Sequence, residues 1–181
     1  TIASNGGSGI IIDGGANGTR IDTDNRIRQN GAGGILIVNG SNTRIISNVI
    51  RANTGTGVTV LSGVNNRISS NRIFENTTLG IDLNGDGVTL NDPNDPDTGA
   101  NNLQNFADLQ FAVDNGTSTF LIGTLNTPAA NGPYTLEAFS IVSPGTHGQG
   151  QTYLGSSTPT VGATPRILGT FAAGLTGTLT S

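Results

Sequence analysis

Residues 48–60 read Asn-Val-Ile-Arg-Ala-Asn-Thr-Gly-Thr-Gly-Val-Thr-Val, and residues 71–83 read Asn-Arg-Ile-Phe-Glu-Asn-Thr-Thr-Leu-Gly-Ile-Asp-Leu. Laid over one another, the two stretches keep Asn, Ile, Asn, Gly and alternating aliphatic residues in the same places, 23 residues apart. The spacing runs back through a further copy. It links Asn25, Asn48 and Asn71, then Asn30, Asn53 and Asn76, then Ile27, Ile50 and Ile73, then Gly34, Gly57 and Gly80. Ile35, Val58 and Ile81, and Ile37, Val60 and Leu83, follow the same rule. An earlier copy fits with small insertions, since Gly9, Ile10 and Ile12 precede Gly34, Ile35 and Ile37 by 25 residues, and Arg20 and Ile21 precede Arg44 and Ile45 by 24.

A fixed period of this length marks a solenoid, in which each copy is one coil that buries its apolar side against its neighbours. Short aliphatic runs separated by Asn and Gly turns, without a helical period, predict three strands per coil and therefore a parallel β-helix. Stacked strands lie about 4.8 Å apart, so equivalent residues form ladders, with Ile, Val and Leu inside and Asn at the corners. The Asn amides are expected to bond to the next coil and to turn backbone. Loss of a central rung such as Asn48 to leucine should then cost about 1 to 3 kcal/mol, because buried backbone groups lose their partners.

Composition narrows the chemistry. Of 181 residues, 28 are Gly, 21 Asn and 25 Thr, whereas Cys, Met, Trp and Lys are absent. No Cys excludes disulfides, thiol nucleophiles and thiolate metal sites. No Lys excludes Schiff-base chemistry, and the single His147, in a Gly-rich loop, argues against a triad or a multi-histidine centre. Charged residues make up 11% and the net charge is -4, which is not the footprint of a nucleic-acid binder. No run is long and apolar enough for a membrane-spanning helix. The missing initiator Met and signal peptide predict a mature or excised piece of a longer protein.

The Asn-x-x-Ile-x-x-Asn coils resemble the right-handed parallel β-helix (pectate-lyase-like) superfamily over about residues 1–83. Residues 79–106, with Asn-Gly-Asp-Gly-Val-Thr, Asn-Asp-Pro-Asn-Asp-Pro-Asp-Thr-Gly and Asn-Asn-Leu-Gln-Asn-Phe, resemble a segment that closes such helices in large secreted bacterial surface proteins, where a β-sandwich usually follows. The resemblance implies an all-β chain, with a short right-handed parallel β-helix over 1–105, an acidic closing loop over 82–105, and a small antiparallel immunoglobulin-like sandwich over 106–181. Strand-like runs at Leu109–Val113, Thr119–Leu125, Tyr134–Val142, Thr152–Leu154, Ile167–Phe171 and Leu175–Leu179, with turns at Asn115-Gly116, Asn131-Gly132-Pro133 and Pro144-Gly145, fit that second part. The superfamily holds lyases, hydrolases, epimerases, adhesins and structural modules, so fold alone names no activity.

Three constellations carry candidate chemistry. Asp82, Asn84 and Asp86, followed by Gly87, match the first half of a calcium loop, although Pro93 stands where its closing carboxylate belongs; a solvated turn capping its own backbone fits the same residues. Arg20, Arg44 and Arg67 form one outward stripe and Arg28 and Arg51 another, either hydrated or facing an anion such as an acidic polysaccharide or a partner's acidic surface. Asp92, Asp95 and Asp97 form the acidic counterpart. Residues 1–76 carry seven Arg against four acids, and residues 77–181 one Arg against eight, so head-to-tail contact between copies would join opposite charges. Tyr134, Phe139 and Tyr153 are read as sandwich core or as a sugar platform.

No acidic pair recurs in register along the coils as a glycosidase would require. The first coil carries no amphipathic cap, and the chain stops inside strand-like sequence, so both ends of the structure are predicted to be open edges. The leading expectation is a non-catalytic, extracellular, cell-surface structural module that self-associates head to tail into a fibre or sheath, with strand addition between subunits. The alternative is a carbohydrate-binding or polysaccharide-processing module of a larger surface protein. Calcium is the one cofactor the sequence suggests; nucleic acid and a membrane span are not expected.

Overall fold

The computed structural model describes residues 1–128, 133–141 and 149–172. His147, the Asn131-Gly132 and Pro144-Gly145 turns and the run Leu175–Leu179 lie outside the described residues, as does Val142 at the end of its predicted strand. Two compact units are present. The first comprises Thr1–Thr89, Thr98–Leu103 and Gly145–Gln151, and the second Leu90–Asp97, Gln104–Pro144 and Thr152–Ser181. The sequence predicts a single cut between 105 and 106, whereas the units interleave along the chain.

The first unit is a parallel β-helix with three faces. On face one, Ile2–Ala3, Arg26–Arg28, Val49–Arg51 and Arg72–Phe74 stack in that order. Face two stacks Ile10–Ile12, Ile35–Ile37, Val58–Val60 and Ile81–Leu83, and face three Arg20–Asp22, Arg44–Ile46 and Arg67–Ser69. The register is that of the repeat: Ile27 pairs with Ile50 and Ile50 with Ile73, while Val58 pairs with Ile35 and Ile81. Strands of three residues suffice because the middle or flanking aliphatic side chains all enter one core. Ile27, Ile35, Ile37, Ile45, Ile50, Val58 and Val60 are wholly buried, each worth roughly 1.5 to 3 kcal/mol of apolar transfer.

The corners are built from a left-handed residue followed by a ladder Asn. Gln29, Ala52 and Glu75 take φ of 55°, 53° and 59° just before Asn30, Asn53 and Asn76; Asp24, Ser47 and Ser70 do the same before Asn25, Asn48 and Asn71. A positive φ reverses the chain sharply, and the following Asn satisfies the backbone groups the corner leaves unpaired.

The two ends of the stack differ. Ile2–Ala3, Ile10–Ile12 and Arg20–Asp22 are terminal strands of their sheets. The later end, predicted to be open, is covered in part by segments outside the repeats. Gly150 pairs with Ile73 through hydrogen bonds of 2.6 and 2.9 Å, and Ala100–Leu103, a turn in which Asn101, Asn102 and Leu103 have positive φ, sets Ala100 and Leu103 against the coil core. The cover is incomplete on face two, where Ile81–Leu83 ends the sheet and Ile81 keeps 39% of its surface exposed.

The second unit holds antiparallel sheets, as the sequence predicts. Asp108–Asp114, Ser118–Leu125 and Gly162–Ala172 form one, and Leu136–Ser140 and Thr152–Ser157 another. Leu121, Ala138 and Phe171 form its core, and the strand Ser118–Leu125 alternates buried and half-buried residues along its whole length.

Candidate functional site

The Asn ladders are continuous. The Asn30 amide nitrogen donates to Asn53 Oδ1 and Asn53 Nδ2 to Asn76 Oδ1, both at 2.9 Å. Asn25 Nδ2 donates to Asn48 Oδ1 at 2.9 Å, and Asn48 Nδ2 to Asn71 Oδ1 at 3.1 Å. Each rung also serves backbone: Asn71 Nδ2 donates to the Ile45 carbonyl, and Asn76 Nδ2 to that of Ile50. Two features escape the sequence reading. Gln149 takes the next rung after Asn76, its Oε1 accepting the Asn76 amide at 2.9 Å while Nε2 donates to the carbonyls of Asn76 and Thr78. Asn101 ends a third ladder, accepting the Asn66 amide at 2.9 Å, while Asn66 Oδ1 accepts that of Thr43 at 3.0 Å.

On face three, Arg20, Arg44 and Arg67 stand in one exposed row, in register. Asp22 answers this row, 2.9 Å from Arg20 Nε and 3.9 Å from Arg44 Nε. Face one is more basic. The register places Arg26, Val49 and Arg72 in one outward row and Arg28, Arg51 and Phe74 in the other, so the two-residue stripe Arg28 and Arg51 is part of a six-position grid. All six residues line one cleft of about 220 Å³.

Three of the four guanidiniums of that cleft have partners. Phe74, 6% exposed, carries the Arg51 and Arg72 groups at 5.8 and 5.7 Å from its ring centre, a cation–π arrangement shared by one aromatic ring. Arg51 Nη1 pairs with Glu75 at 2.8 Å, Arg72 Nε donates to the Gln151 carbonyl at 2.7 Å, and Arg28 donates to the Gln29 side chain. Arg26 is exposed and has no polar partner among the described residues. Arg26 and Arg72 lie 46 residues apart, two periods, but Val49 stands midway, so the 23-residue identity that marks the other rows is broken in this one.

The Asp82 turn closes on itself. Asp82 Oδ1 accepts the Gly85 amide at 3.2 Å, and Asn84 Nδ2 donates to Asp86 Oδ2 at 2.8 Å, so Asn84 turns its nitrogen toward the carboxylate. Among the described residues no three acidic or His side chains gather as metal ligands. Burial raises the Asp82 carboxyl above its ordinary 3.8; the Gly87 and Gly85 amides pull it back, and Asp86 adds to the rise. The unfolded chain therefore gives up this proton first. Asp82 favours folding most below pH 3.8 and loses that advantage as pH rises through its raised value. Asp82→Asn should gain stability relative to wild type between pH 3 and pH 6, read from urea midpoints at the two pH values.

In the second unit the acidic segment is drawn inward. Asp95 is buried, its carboxylate accepting from Thr127 Oγ1 at 2.7 Å, Gln104 Nε2 at 3.1 Å and the Asn105 amide at 3.1 Å. Asn105 Nδ2 donates to the Asp92 carbonyl at 2.7 Å, and Asp92 and Asp97 are half-buried. These contacts stitch the loop to the end of Ser118–Leu125. Phe139 and Tyr153 meet edge to face at 5.4 Å, and Tyr134 Oη lies 2.8 Å from Thr127 Oγ1.

A family model described as a right-handed β-helix region matches residues 1–117. The chain matches no curated protein and no solved structure.

Proposed function

Because the chain belongs to the right-handed β-helix family, we propose that it is a non-catalytic structural module of an extracellular surface, assembling head to tail by strand addition. The supporting observation is face two, the sheet that ends in Ile10–Ile12 on one side and Ile81–Leu83 on the other without a further strand among the described residues. The first edge is apolar and the second is apolar apart from Asp82 at its centre, with Ile11 60% and Ile81 39% exposed. Unpaired strand edges invite pairing with another chain, and a heterologous edge-to-edge contact propagates. The later ends of the Asn76 and Asn66 ladders are already occupied by Gln149 and Asn101, whereas the Ile81–Leu83 edge has no further strand among the described residues. A chain without Cys or Met also offers little for an oxidising exterior to attack.

The test follows from the edge geometry. Ile10 donates to Gly34 and Ile12 accepts from Val38, so the intervening Ile11 directs its own amide to the free edge. Sedimentation velocity should show wild type growing into linear oligomers with concentration, and Ile11→Pro remaining a monomer with an unchanged β spectrum. A wild-type monomer at high concentration overturns the reading.

A further inference from the structure

The face-one cleft is unlike the rest of the coil surface. In a grid about 7 Å along the strand and 10 Å along the stack, four of six outward positions are Arg. One acid, Glu75, answers them there, at 2.8 Å from Arg51. Two of the four guanidiniums are held, since a common phenyl ring, a carboxylate and a main-chain carbonyl fix Arg51 and Arg72, and Arg26 is left to turn toward a ligand. Val49 is the short rung between Arg26 and Arg72, and it leaves a notch bounded by long cationic side chains on both sides.

We propose that this notch binds a tetrahedral oxyanion, a sulfate or phosphate group, with Arg26, Arg28, Arg51 and Arg72 donating to it from around the rim and the bearer of the group resting on Val49. A planar carboxylate has two oxygens and is satisfied by one guanidinium fork. Donors standing on three successive coils suit an ion with three or four oxygens pointing in different directions. Arg forks with fixed planes lose less freedom on binding than Lys ammoniums would, and the chain uses Arg alone. The site is independent of face two, so its failure and that of the assembly reading are separable.

The experiment is calorimetric titration of the whole chain at low ionic strength with inorganic sulfate, inorganic phosphate and acetate. Sulfate or phosphate should bind saturably with a submillimolar Kd, and acetate about tenfold or more weaker. Arg26→Gln, which removes no hydrogen bond or ion pair of the folded chain among the described residues, should weaken the oxyanion about tenfold, and Arg72→Gln likewise, while Arg67→Gln on face three leaves it unchanged. Equal binding of acetate, equal loss in Arg67→Gln, or no saturation up to about 10 mM overturns the proposal. Sulfated and phosphorylated sugars then separate the sources. Tighter binding of an ester than of its parent ion identifies the bearer, and equal binding assigns the site to the free ion; both results uphold the notch.

Discussion

Asn48→Leu should lower the free energy of unfolding by about 3 to 5 kcal/mol, because several buried polar groups lose their partners at once. The Asn48 amide nitrogen serves the carbonyls of Ile21 at 2.8 Å and Ile46 at 3.0 Å and the Asn71 side chain at 3.1 Å. Its oxygen accepts the Asn25 main-chain amide at 3.3 Å and the Asn25 side chain at 2.9 Å. The side chain is 1% exposed, so water does not replace what leucine removes. Spacing alone predicts about 1 to 3 kcal/mol, from one or two stranded groups; the observed number of partners raises it. Urea unfolding measures the loss, and hydrogen exchange at the Asn25 amide should report lost protection beyond the global change. A loss below about 1 kcal/mol would show that the ladder is ornamental to stability.

Gly63→Ala should cost about 2 to 5 kcal/mol from two additive causes, a left-handed backbone and a steric collision. Gly63 has φ of 94°, and a Cβ there falls 1.9 Å from the Gly40 carbonyl oxygen of the coil below. Relief requires moving backbone on one coil or the other. Either movement disturbs the cap, because the Gly63 carbonyl accepts the Asn101 amide at 2.8 Å and Asn101 in turn holds Asn66. Gly14→Ala isolates the first cause, since Gly14 has φ of 68° with nothing within 4 Å of its Cβ position. Thermal unfolding should place Gly14→Ala within about 1 to 2 kcal/mol of wild type and Gly63→Ala well below it.

Identity between copies is what sequence comparison detects, and the legible parts are those built from identity. Asn48 over Asn71 and Ile50 over Ile73 announce a rung, and the alternation around Val58 and Val60 announces a face. The strands of the second unit are legible for a different reason, since Asn115-Gly116 and period-two runs such as Ser118–Leu125 are local signals. The Arg and Phe cleft is hidden because its rungs are unlike. Arg26, Val49 and Arg72 share a position without sharing a type, and Phe74 interrupts the Arg28 and Arg51 row. Gln149 is hidden for want of any local signal, as it completes a ladder 73 residues upstream with a side chain one methylene longer than the others. In sequence Asp95 counts only as part of the acidic counterpart to the arginines, because a count of acids does not disclose that Thr127, Gln104 and Asn105 converge on one carboxylate. The turn at Asp82, Asn84 and Asp86 shows the same limit: alternate oxygen-bearing residues in sequence do not reveal which way an amide group faces.

A zipper with interchangeable teeth can engage one tooth out of step, and the Asn corners are such teeth. A coil displaced by 23 residues during folding meets nearly the same Asn, Ile and Gly and gains nearly the same bonds, so repetition that simplifies the interior also blurs alignment. Gln149 and Asn101 lie outside the repeats, and each bonds the final Asn of its row. Whatever fixes the alignment has to come from such unrepeated residues, since the repeated ones serve every register alike.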